Sequence, residues 1–98
     1  MIEHIVVIKA KPGREPEVSG ILARFATAAA SLPGVVEITA GPNFHQRSAD
    51  LGVSHGMLVR FTDQKALDAY QVHPLHTALL PELTQTCVER LVLDWHAA

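Results

Sequence analysis

The sequence predicts an α+β domain, with four strands and two helical regions in the order β-α-β-β-α-β, two copies of which close into a barrel. Three observations predict it. Four β-branched, apolar runs are separated by one long helical periodicity and one interrupted one. The 98 residues match the size of one ordinary domain, so residues 1–98 are read as a single core. At 48% apolar and 18% charged, the chain also holds more apolar surface than so small a monomer needs.

Each element has its local reason. Ile2 to Lys9 reads as the first strand from its β-branched content. Lys11-Pro12-Gly13 is a turn, and Pro16 suits the first turn of a helix, where its missing N–H costs nothing. Val18, Ile21, Leu22, Phe25, Ala28, Ala29 and Leu32 then recur at 3.6-residue spacing until Pro33-Gly34 ends the helix. Val35 to Gly41 is the second strand. A polar stretch from Pro42 to Leu51 is longer than most hairpin loops, and Val53 to Phe61 is the third strand. Asp63 is a good N-cap for a short helix bearing Ala66, Leu67 and Tyr70. His73-Pro74 breaks that helix and opens another, because the residue before proline avoids the helical region. Leu79, Leu80 and Leu83 give the new helix its apolar side, and Pro81 is expected to kink or restart it. Val88 to Trp95 closes the sheet.

This order folds as a four-stranded antiparallel sheet with both helical regions on one face. Alternation assigns Ile2, His4, Val6, Ile8, His55, Met57, Val59 and Phe61 to that face. Ile5, Val7, Leu58 and either Val36 or Ile38 fall on the other. Both sets are largely apolar, and a second subunit is the obvious cover for the face that no helix reaches. The two halves also echo each other, since His4-Ile-Val-Val-Ile-Lys9 and His55-Gly-Met-Leu-Val-Arg60 share a pattern of histidine, apolar run and base.

Charge and cysteine content exclude several classes. Eight basic and ten acidic residues spread along the chain give a net charge of −2, with no basic face for nucleic acid. Cys87 stands alone, so no internal disulfide forms. The first apolar run reads as a strand and not a secretory leader, and no stretch is long enough to span a bilayer. The expectation is a cytoplasmic protein with no membrane partner.

The chemically loaded segment is Tyr70-Gln-Val-His73-Pro74-Leu-His76. His4 and His55 interrupt the strand face beneath it, and four imidazoles with a phenol are expected to line one cavity. His76 falls in the first turn after Pro74, where the positive end of the helix dipole favours the neutral ring that a general base requires. Tyr70 can donate a hydrogen bond to a carbonyl or enolate oxygen. His4, His55 and His73 are expected to bind substrate, and His73 also to cap the helix that starts at Pro74. A metal site is disfavoured, because no Asp, Glu or Cys joins His73 and His76 at ligand spacing. His45 and His96 are expected at the surface.

The opening His4–Lys9 run, the Ser54-His55 strand ending Val59-Arg60-Phe61, the Tyr70–His76 segment and the closing Leu93-Asp94-Trp95 together resemble the stress-responsive A/B barrel (Dabb) family. The resemblance covers nearly the whole chain and implies a dimeric barrel of ferredoxin-like subunits. It also implies similarity to cofactor-free polyketide cyclases of the olivetolic acid cyclase type, whose tyrosine and histidine match Tyr70 and His76 and whose further pocket histidines match His4 and His55. His73 matches the other histidine of the motif. The expected activity is therefore cofactor-independent aldol cyclisation or isomerisation of a small carbonyl or aromatic compound. The alternatives are a non-catalytic binding or stress protein and a cofactor-free quinol-type monooxygenase.

Overall fold

Two strands from opposite halves of the chain form the centre of the sheet. The computed structural model describes all 98 residues. Its elements are β1 (Ile2–Ala10), α1 (Glu15–Ala29), β2 (Val35–Pro42), α2 (Gln46–Asp50), β3 (His55–Phe61), α3 (Gln64–Gln71), α4 (Pro74–Thr86) and β4 (Cys87–His96). The sheet order is β2-β3-β1-β4 with every neighbouring pair antiparallel. This is the ferredoxin-like α+β fold, with α1, α3 and α4 packed on one face.

The predicted helix-facing residues of β1 and β3 are all buried. They meet the inward stripe of α1, formed by Val18, Ile21, Leu22, Phe25 and Ala29. Removing these side chains from water is the main stabilising term, roughly 1.5–3 kcal/mol for each large one. Ile38 pairs with Val59 and packs on this core, so Val36 is the β2 residue that faces outward. Asp63 caps α3 as expected, its carboxylate accepting the Ala66 N–H at 2.9 Å.

Three expectations change. The polar stretch before β3 contains a short helix, α2, held by local bonds such as Asn43 Nδ2 to Ser48 Oγ. Pro81 does not restart the helix, for α4 runs from Pro74 to Thr86 through it. Leu79 and Leu83, buried on either side of the proline, offset its missing backbone bond. Finally, the echo between β1 and β3 does not bring His4 and His55 together. Antiparallel register pairs His4 with Val59 and Ile8 with His55, which sets the two histidines about 13 Å apart along the strands.

The far face of the sheet has no helix over it. Leu91, Leu93 and Trp95 on β4 are 49%, 52% and 47% exposed beside the half-buried Ile5 and Val7. Arg60 bridges Glu3 and Glu37, at 2.8 and 3.2 Å. No helix is long and apolar enough to cross a membrane.

Candidate functional site

Local sequence rules aim the key side chains. Leu67 and Tyr70 lie three residues apart on the inward face of α3, and Tyr70 is 2% exposed. His73 then adopts an extended backbone, and its Nδ1 accepts the Leu75 N–H at 3.2 Å. That cap starts α4 with Pro74 in its first position. His76, Leu79, Leu83 and Thr86 follow at spacings of three, four and three, so His76 tops the inward stripe of α4.

These elements enclose a cavity of about 150 Å³ lined by His4, Val6, Phe25, Met57, Tyr70, Gln71, His76, Leu80, Leu83, Arg90 and Val92. The Tyr70 and His76 rings meet edge to face with centroids 5.0 Å apart. His4 stands 6.1 Å from Tyr70, and Phe25 is 5.9 Å from His76. The Tyr70 hydroxyl and His76 Nδ1 are both buried with no hydrogen-bond partner. An unsatisfied buried polar group costs roughly 1–3 kcal/mol. Two beside one cavity are a strong pointer to a ligand.

Burial first, then the charges of His4 and Arg90, lowers the His76 pKa and keeps the ring neutral. Desolvation pushes the Tyr70 phenol up to about 12, so it remains a donor across the physiological range. His4 Nδ1 lies 2.5 Å from Asp94 Oδ1. A carboxylate only accepts at neutral pH, so Nδ1 holds the proton and Nε2 is left free.

The structure brings together His4, Tyr70 and His76, but not the other two. His55 lies outside this cavity, and both its nitrogens are engaged. Nδ1 lies 2.9 Å from Ser54 Oγ and Nε2 lies 2.8 Å from Ser19 Oγ. Ser54 donates to Ile8 O and accepts from Ala10 N, so Nδ1 must be the donor and Nε2 accepts from Ser19. His73 is turned to capping and borders a separate groove beside Leu32 and Pro33. No three His, Cys, Asp or Glu side chains gather as metal ligands. Cys87 is a buried thiol whose pKa is raised by desolvation.

Asp94, Arg90 and Gln71 join the site unpredicted. Asp94 and Arg90 are polar residues alternating with apolar ones along a strand, which alone looks like an ordinary solvated edge. Only the β1–β4 register, pairing His4 with Asp94 and Ile8 with Arg90, sets Asp94 against His4 and Arg90 at the cavity.

A ferredoxin-like sheet with a buried tyrosine–histidine pair under its helices defines a small α+β barrel-type domain. Residues 2–97 match the stress responsive A/B barrel domain, and the chain belongs to that family. A dimeric ferredoxin-like protein of unknown function from Jannaschia sp. CCS1 is 31% identical, with 98% of each chain covered and a TM-score of 0.86. A protein of Arabidopsis thaliana shares the fold at 18% identity, covering 100% of this chain and 96% of its own, with a TM-score of 0.84. A structure described as an antibiotic biosynthesis monooxygenase does so at 19% identity, 100% and 99% coverage, and a TM-score of 0.80. No curated protein sequence matches the chain.

Proposed function

We propose that this protein is a cofactor-independent enzyme that moves protons on a small carbonyl compound, with aldol-type cyclisation or isomerisation as the outcome. His76 is the base that removes a proton α to the carbonyl. Tyr70 donates its hydroxyl hydrogen bond to the oxygen that becomes an enolate, and His4, held by Asp94, orients the substrate through Nε2. The supporting observation is the pair of buried, unpartnered groups on Tyr70 and His76 at one cavity. A carbonyl substrate supplies what each lacks: an acceptor for the phenol and a proton for the imidazole.

The cavity is smaller than the roughly 300–1,000 Å³ of common ligand clefts. It suits a small substrate, or the reacting end of a longer one that reaches outside. Incubation with linear poly-β-keto thioester products, beside a His76→Ala variant, tests the cyclase form. Product profiles identical with and without protein would remove it.

The assembly belongs to the same reading. A second copy of the chain covers Leu91, Leu93, Trp95 and their neighbours, as the dimeric state of the Jannaschia relative suggests. A second reading, cofactor-free oxygenation of a quinol, draws on the shared fold with the monooxygenase-described structure. Oxygen uptake on a quinol panel separates the two, because proton transfer alone consumes none.

A further inference from the structure

The proton-transfer reading leaves two polar cavity residues, Gln71 and Arg90, without a task, and Arg90 carries the charge. Arg90 lines the cavity from β4 and pairs with no carboxylate, for the ion pairs of the chain engage Lys9, Arg14, Arg24, Arg60 and His4 only. Its one side-chain hydrogen bond runs from Nη1 to Thr84 Oγ1 at 2.6 Å. Thr84 in turn donates to Leu80 O at 2.9 Å, so its oxygen is a fixed acceptor that anchors the guanidinium. The Nε and Nη2 hydrogens remain unclaimed. They form the edge of the guanidinium whose two parallel N–H groups match a carboxylate.

The nearest acid on the same face of β4 is Asp94, whose carboxylate is taken by His4. It lies four residues along the strand, about 13 Å away. Arg90 lines the same cavity as His4, Tyr70 and His76, and its charge is near enough to His76 to act on that ring. Val6, Phe25, Leu80 and Leu83 contribute apolar walls to it. Arg90 is half-buried as a residue and its bond to Thr84 is solvent-exposed, so its free guanidinium edge stands at the rim of the cavity, where a ligand carboxylate gains a charge-assisted, two-point contact.

We propose that Arg90 forms an anion subsite and that the substrate is a keto acid, with its carboxylate on Arg90 and its ketone between Tyr70 and His76. The position of the ketone rests on the proton-transfer reading; the anion subsite does not.

The test is an NMR titration of the intact protein with pyruvate, levulinate and longer keto carboxylates, each beside its methyl ester. Wild type should bind at least one carboxylate about tenfold or more tightly than its ester. Arg90→Gln, with its fold checked by the same spectra, should bind acid and ester equally weakly. No preference in wild type, a preference kept in Arg90→Gln, or no carboxylate bound at all would overturn the subsite. Acetate binding as tightly as the keto acids would overturn the keto-acid assignment. Exchange of α-hydrogens for solvent deuterium is followed in the same tubes. Arg90-dependent binding without faster exchange removes the proton-transfer reading and leaves the subsite. Faster exchange that is indifferent to Arg90 does the reverse.

Discussion

His4 and Asp94, 90 positions apart in the chain, meet across the β1–β4 pair with Nδ1 and Oδ1 2.5 Å apart. The contact selects the histidine tautomer and turns the other nitrogen loose for the cavity. Asp94→Asn keeps the shape but can pair with either tautomer. Its expected effect is a mixture of His4 tautomers in nitrogen chemical shifts and a fall of roughly tenfold in deuterium exchange on the best keto acid. An unchanged tautomer would show that Asp94 does not set the ring.

Tyr70 presents an uncommon trade between stability and function. Its hydroxyl is buried without a partner, so Tyr70→Phe should leave denaturant stability unchanged or raise it by about 1 kcal/mol. Proton exchange on the same keto acid should fall on the order of a hundredfold. A loss of stability with exchange intact would favour a non-catalytic role for the residue.

The pH response follows from His55 and His76, whose pKa values are both lowered, chiefly by burial. With folded values below the ordinary ~6.5, the unfolded chain takes up protons first as pH falls. Stability from these residues is therefore full above about 6.5 and declines as pH falls through the lower folded values. Neutral His76 should hold activity flat down to that value, with the acid limb of the rate profile beneath it. Denaturation midpoints across this range check the first statement, and kcat/KM profiles check the second. An acid limb centred above 6.5 would contradict the burial argument.

Gly34 closes the α1–β2 turn with φ at +81°, and a Cβ there would stand 2.4 Å from the Ala66 Cβ on α3. Strain and overlap act in the same direction. Gly34→Ala should cost about 2 kcal/mol or more in denaturant melts. A cost below about 0.5 kcal/mol would mean that α3 moves aside freely.

The outer sheet face predicts the assembly. Leu93, 52% exposed among other apolar residues, should be central to a subunit contact. Leu93→Glu should convert a dimer to a folded monomer in sedimentation or light scattering. A wild-type chain that is already monomeric at micromolar concentration would refute the barrel.

Local patterns along the chain specify the elements and their inward faces. Strand alternation in β1 and β3, the 3.6-residue stripe of α1, the Asp63 cap and the His73-Pro74 break are local physics, legible wherever they occur. The placement of Tyr70 and His76 near one another was legible for the same reason: six residues and one capped turn separate them. Everything that depends on register came from the folded arrangement of the strands. Antiparallel pairing set His4 and His55 at opposite ends of the same two strands and gave His55 to Ser19 and Ser54. It also brought Asp94 from the far end of the chain to His4, and Arg90 to the cavity. Periodicity says which face a residue occupies, while only the pairing of distant strands says what stands beside it.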